Sequence, residues 1–140
     1  MTSFTVVRSV NLPVEKVWEV LGTFTTSPGP EIKVEVIEYG DQTNNNVGTV
    51  RNLTVGMFSV QERLESANPP TGLTFSILKG TPTRVYKGEV QFEKNGEAST
   101  TIRFVADIKP IIPFTGFIII KIAKSIINKI IDSLIKNHIS

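Results

Sequence analysis

The chain has 140 residues, 40% of them hydrophobic and 20% charged, the composition of one globular domain able to bury a core without cross-links. It contains no cysteine, which excludes disulfides, thiolate nucleophiles and sulfur-ligated metals and speaks against a secreted disulfide scaffold. Fifteen basic against thirteen acidic residues leave only +2, and no cluster of aromatic and basic side chains marks a nucleic-acid surface.

The start, MTSFTVVRSVNLP, lacks a basic region followed by an apolar run, so no signal peptide is expected and the chain is placed in the cytoplasm. Its β-branched stretch FTVVRSV reads as a strand. NLPVEKVWEVLGTF then reads as a helix, with Pro13 at its first position, Val14, Val17, Trp18 and Leu21 at helical spacing, and Gly22 to end it. Trp18 and Phe24 are read as core packing for that helix. After the breaker TTSPGP come six strand-like runs: IKVEVIEY, GTVRNLTV, FSVQERLE, LTFSILK, RVYKGEVQFE and STTIRFVADI. Short turn-forming stretches separate them, Asn95-Gly96 being the strongest hairpin signal, so successive antiparallel strands in a twisted, curved sheet are the economical reading. Met57 and Phe58, beside Gly56, form either a hairpin tip or a lip over a pocket entrance.

The final segment, PFTGFIIIKIAKSIINKIIDSLIKNHIS, is rich in Ile, which alone would suggest strand. Laid out at about 100° per residue, however, Ile119, Ile122, Ala123, Ile126, Ile127, Ile130 and Leu134 fall on one side. Lys121, Lys124, Ser125, Asn128, Asp132 and Lys136 fall on the other, giving an amphipathic helix of about seven turns. Lys121 and Lys124 break the run too early for a membrane span, so no integral membrane segment is expected; a helix lying on a membrane surface stays compatible with the pattern. An antiparallel sheet cannot leave its apolar face in water, so this helix must cover it, and facing side chains that do not meet leave a cavity.

Strand parity says what would line it. Val60, Glu62 and Leu64 share one face of their strand, and Phe75 and Ile77 share a face of the next. Tyr86, Gly88, Val90 and Phe92 form a third set, and Ile102, Phe104, Ala106 and Ile108 a fourth. Glu62 and Tyr86 are therefore predicted to point inward, with Arg51 inward or at the rim. A lone carboxylate in such a setting would be protonated, which leaves three readings of Glu62: an ion pair with Arg51 to which Tyr86 donates, a set of polar anchors for a ligand, or an acid-base site.

The order strand, helix, six strands, long helix, with PVEKVWEVLGTF, VGTVRNLTV, QERLES and TFSILKG…VYKGEVQF at these spacings, resembles the polyketide cyclase/dehydrase and lipid-transport family. That family lies within the START-like (SRPBCC) helix-grip superfamily, with the birch-pollen-allergen and abscisic-acid-receptor proteins. The resemblance runs from about Phe4 to Leu134 and implies an α+β helix-grip fold: a seven-stranded curved antiparallel sheet wrapped around a long C-terminal helix, with an internal cavity, in a single domain spanning residues 1–140. Locally the VG-x-x-R strand, the ERLE strand and the FS strand are similar to plant hormone receptors. By that likeness Glu62 and Tyr86 match polar cavity positions, Phe75 and Ile77 apolar lining, and Arg51 a basic residue near the entrance. The gate loop of those receptors is here the short VGMFS, their latch is KGTPT, and Gly88 stands where a ligand-contacting serine would be, so hormone perception is not implied.

The expected function is binding or carriage of a small hydrophobic ligand, lipid-like or polyketide-like. Phe75, Ile77, Val90, Phe104 and the helix residues Ile119, Ala123, Ile126, Ile127 and Ile130 would hold it, and Arg51, Glu62 and Tyr86 would orient its polar end. The alternative is a polyketide cyclase/dehydratase-type enzyme in which Glu62 removes a proton alpha to a carbonyl and Tyr86 stabilises the enolate. A non-catalytic role is favoured because there is no Ser-His-Asp set, metal-ligand cluster or phosphate-cradling glycine motif, and the single histidine, His138, lies at the end of the chain, where it is read as a surface residue. No cofactor, metal or catalytic residue is assigned, and oligomeric state is not encoded in any motif.

Overall fold

A computed structural model describes residues 2–139. Strand β1 (Thr2–Val10) leads through a short helix α1 (Val14–Val17) and a wider π turn (Trp18–Gly22) to β2 (Ile32–Glu38), β3 (Val50–Val55) and β4 (Phe58–Asn68). Strands β5 (Gly72–Lys79), β6 (Thr83–Lys94) and β7 (Thr100–Pro110) follow, and helix α2 (Gly116–His138) closes the chain. All neighbours pair antiparallel in one sheet of order β1-β7-β6-β5-β4-β3-β2. The α+β helix-grip arrangement expected from the sequence is the one observed.

The inward faces follow the alternation. Leu64, Phe75, Val90, Phe92, Ile102, Ala106 and Ile108 are buried, and the main core sets them against Ile119, Ala123, Ile127, Ile131 and Leu134 of α2. Register shifts within the β4–β5 pairing, between Gln61 and Glu62 and between Leu64 and Ser66, add local twist to the sheet.

Several expectations are corrected. The first helix is not regular: after Val17 it widens into the π turn, and the Trp18 indole packs over Gly22, where a Cβ would strike the ring. Trp18 completes the packing edge-on against Phe92, 6.0 Å away between ring centroids. Helix α2 begins at Gly116, about 34 Å of helix for its 23 residues, because Phe114 takes a left-handed φ of 68° that the helix cannot continue through. Its buried stripe is rotated from the predicted one, so Ile131 is in the core while Ile122 reaches the surface. The Asn95-Gly96 turn is longer than a two-residue hairpin, since β6 ends at Lys94 and β7 begins at Thr100. His138 is half-buried rather than at the surface, its Nε2 3.0 Å from the Pro28 carbonyl. Among the described residues no helix is long and apolar enough to cross a membrane.

Both edges of the sheet are tied to α2. On the β1 side, Arg8 Nη1 reaches Asp132 Oδ1 at 2.7 Å and the Asn128 carbonyl at 3.3 Å. At the start of β2, Glu31 accepts from Ser133 Oγ at 2.6 Å and Asn137 Nδ2 at 2.8 Å, with Lys136 Nζ 3.3 Å away. The Ser133 hydroxyl first, then the Asn137 amide, hold the Glu31 carboxyl down to about 2 from an ordinary 4.5. A carboxylate depressed on folding stabilises the fold above its unfolded pKa and loses that contribution as pH falls through its folded one. Glu31→Gln is therefore expected to melt below the parent at pH 7, with the gap in Tm closing between pH about 4.5 and about 2. A gap independent of pH would show that the charge contributes nothing.

Candidate functional site

A cavity of about 400 Å³ lies between the sheet and α2, within the range of roughly 300–1,000 Å³ typical of small-molecule pockets. All twelve residues singled out from the sequence line it. From the sheet come Arg51 on β3, Glu62 on β4, Phe75 and Ile77 on β5, Tyr86 and Val90 on β6, and Phe104 on β7. From α2 come Ile119, Ala123, Ile126, Ile127 and Ile130. Ala123 is the smallest side chain that α2 contributes to the lining, and Phe75 and Phe104, with ring centroids 5.5 Å apart, line it from the sheet.

Polar side chains in the wall are few: Arg51, Glu62 and Tyr86 inside, with Thr81 and Thr115 toward the mouth. Arg51 and Glu62 face each other across the β3–β4 pair. Arg51 Nε donates to Glu62 Oε1 at 2.9 Å, and Nη2 stands 2.9 Å from the same oxygen. Both side chains are nearly buried, at 12% and 7% exposure. The guanidinium also lies over the Phe24 ring, with Cζ 3.7 Å from its centroid. The pair answers the charge on an apolar face: each ion neutralises the other.

Tyr86 stands apart from the ion pair. Among the described residues its hydroxyl has no hydrogen-bond partner, and the same holds for Glu62 Oε2; neither atom is sealed off, so both open onto the cavity. Burial, and then the Glu62 carboxylate, push the phenol well above its ordinary value, so Tyr86 stays protonated and is available as a donor. The ring is fixed edge-on against Phe4, 6.4 Å between centroids.

One wall residue was read differently from the sequence. Phe24, read there as core packing only, is buried and also lines the cavity, with its backbone at φ 64°. A bulky residue there costs on the order of 1–2 kcal/mol, offset by burial, the Arg51 contact and packing at 6.2 Å from Phe75. No periodicity could have found it, since it sits in an irregular loop. At Gly88 any side chain would strike the Phe75 ring, so the absence of one is what lets that ring seat against β6. His138 lies at the other end of α2 from the mouth, and Asp41 caps a 3-10 turn, accepting from the Thr43 amide at 3.0 Å. Among the described residues no group of acidic or histidine side chains could hold a metal.

The cavity meets solvent where its lining residues are exposed: Phe58 on the β3–β4 tip, Ile112 after β7, and Ile118 and Ile122 on α2. The β5–β6 turn, Gly80–Pro82, completes the mouth. Phe58 is thus both hairpin tip and lip, while Met57 projects outward beside it.

Removing one partner of a buried ion pair leaves the other uncompensated. Arg51→Met is expected to lower unfolding stability by about 3 kcal/mol, the low end for such a change because Glu62 Oε2 already faces the cavity. The double variant Arg51→Met/Glu62→Leu should recover most of that loss in urea denaturation. Additive losses in the double variant would show that the two side chains do not interact.

The chain matches the family described as polyketide cyclase / dehydrase and lipid transport over residues 1–138. No curated protein matches it in sequence. Among solved structures it is similar to an uncharacterised protein of Bacillus thuringiensis, 19% identical with a TM-score of 0.79, covering 99% of this chain and 100% of that one. It is also similar to the protein XoxI of Bacillus cereus, 20% identical with a TM-score of 0.78, covering 97% and 94%. Norcoclaurine synthase of Thalictrum flavum, solved with dopamine and hydroxybenzaldehyde, is 17% identical with a TM-score of 0.69, covering 99% and 88%. At such identities these likenesses establish the fold, and it is the match along almost the whole sequence that settles the grouping: the chain belongs to the polyketide cyclase / dehydrase and lipid transport family.

Proposed function

We propose that the protein binds and carries a small, mainly apolar molecule whose single polar end is an uncharged hydroxyl or carbonyl. The observation that carries this reading is the polar pole of the cavity, at which charge cancels. Arg51 is neutralised by Glu62, so a ligand carboxylate would find no free cation and would face the Glu62 oxygen instead. A carbonyl can accept from Tyr86, and a hydroxyl can donate to Glu62 Oε2, while the aromatic row Phe24, Phe75 and Phe104 and the isoleucines of α2 surround the apolar body. Burying that body supplies roughly 25 cal/mol per Å² of apolar surface, and the polar groups fix its orientation.

Catalysis is the second reading, favoured by one pairing: a protonated Tyr86 beside a carboxylate. It would have Glu62 take a proton alpha to a carbonyl while Tyr86 donates to the developing enolate oxygen. The ion pair opposes it, because Glu62 Oε1 is already occupied by the Arg51 guanidinium, 2.9 Å from both Nε and Nη2.

Titration with the neutral dye N-phenyl-1-naphthylamine tests the carrier. The parent should enhance its fluorescence saturably, and Ala123→Trp, which fills the cavity, should weaken binding at least about tenfold while the protein stays folded. Unchanged binding in Ala123→Trp would place the dye elsewhere and remove the support. Glu62→Gln separates the two readings: retained dye binding with lost turnover of a cyclisable polyketide substrate would establish the enzyme.

A further inference from the structure

We propose that the end of the molecule bearing the cavity mouth docks on an anionic phospholipid bilayer. The inference goes beyond carriage, since the surface would dock whether or not the cavity is filled.

Isolated exposed apolar residues are ordinary; contiguous ones are not. Among the described residues, twelve large hydrophobic side chains have substantial exposure, and eight of them belong to the three segments around the mouth. The β3–β4 tip contributes Met57, 98% exposed, and Phe58. The loop between β7 and α2 contributes Ile111, Ile112 and Phe114, the last 95% exposed. The first two turns of α2 add Phe117, Ile118 and Ile122. Phe114 is doubly unusual, an aromatic residue held at φ 68° with its ring in solvent, so nothing inside the protein offsets the backbone cost.

Charge identifies the occupant. Lys79 at the end of β5, Arg84 at the start of β6, Lys109 at the end of β7, and Lys121 and Lys124 on α2 are all exposed at this end. None of the five is in an ion pair among the described residues. The acids toward this end are Asp107, which accepts from Ser3, and Glu31 at the start of β2, which is already paired with Lys136. At the opposite end, around α1 and the β2–β3 and β6–β7 connections, the excess reverses: Glu15, Glu19, Glu38, Asp41, Glu93 and Glu97 stand against Lys16 and Lys94. The molecule is therefore a dipole whose positive end is also its apolar end, which an anionic surface would orient mouth-first. A second copy of the chain fits poorly, because a twofold contact would press these cations against themselves. Apolar tips flanked by lysines suit a bilayer interface, where the side chains enter the acyl boundary and the ammonium groups stay with the phosphates. In that pose the mouth opens toward the hydrocarbon, and an apolar ligand crosses without passing through water.

Co-sedimentation of the purified protein with vesicles tests the docking. Binding is expected to phosphatidylcholine vesicles containing about 30% phosphatidylserine and not to phosphatidylcholine alone, and it should weaken about tenfold or more when salt rises from about 0.1 to 0.5 M. Phe114→Ser/Phe117→Ser should weaken it about tenfold or more, and Lys109→Glu/Lys121→Glu should abolish it. Neither pair lines the cavity, so dye binding and Tm should stay at parental values, which separates this proposal from the carrier reading. Parent protein that stays in the supernatant with anionic vesicles at low salt would overturn it. So would charge-reversed protein that sediments like the parent, or a dimer dissolved by Phe114→Ser/Phe117→Ser without any vesicle binding.

Discussion

Helix α2 is tied by its C-terminal half to both margins of a curved sheet while its apolar stripe packs on the core, and the rest of the molecule follows from that constraint. Arg8 fixes it to the β1 edge through Asp132 and Asn128; Glu31 fixes it to the start of β2 through Ser133 and Asn137. These are polar ties between elements more than 100 residues apart in sequence, and they add directional restraints on the helix to those of its apolar packing. Here the stripe joins the core through Ile119, Ala123, Ile127, Ile131 and Leu134, and the first four of these also line the cavity.

The Arg51–Glu62 pair performs a related task on the opposite wall. Either charge alone in this setting would cost several kcal/mol, and together with the Phe24 ring face they make a compact group that presents little net charge to the cavity. Replacing the pair by apolar residues would remove a desolvation cost but would also leave Tyr86 as the sole interior polar anchor. The pair is thus better explained by specificity than by stability. It gives an otherwise greasy volume a defined pole, with an acceptor on one oxygen of Glu62 and a donor on Tyr86.

The sequence carried the architecture because period two and period 3.6 are both written into residue order. Parity put Glu62, Tyr86, Phe75 and Phe104 on inner faces, and they are there. What it could not carry is distance and irregular backbone. Parity leaves open whether the Tyr86 hydroxyl joins the ion pair, because whether two inward groups touch depends on the strand spacing and twist between β4 and β6, which no pattern encodes. Phe24 was legible as buried but not as the platform under Arg51, since that role needs a left-handed residue in a loop. On α2 a few tens of degrees of rotation exchanged Ile122 for Ile131, an error inherent in fitting an apolar arc to a helix that is isoleucine on most sides.

That surplus of isoleucine is itself informative. A helix needs one apolar arc to cover a sheet, and α2 has that arc in Ile119, Ala123, Ile127, Ile131 and Leu134. Ile118, Ile122, Ile126 and Ile130 form a second arc that faces the open side of the cavity and, toward the N-terminus, solvent. Fold stability asks nothing of the exposed members of this arc, because their burial is incomplete and polar residues there would lose little. A cavity mouth does ask for them, since an apolar molecule moving along polar side chains would shed and regain hydration at every step. The continuous apolar path from the tip of β3–β4, past Ile122 and Ile126, to the Phe75–Phe104 wall is therefore best understood as a route into the cavity, with the helix that closes the fold also forming one side of it.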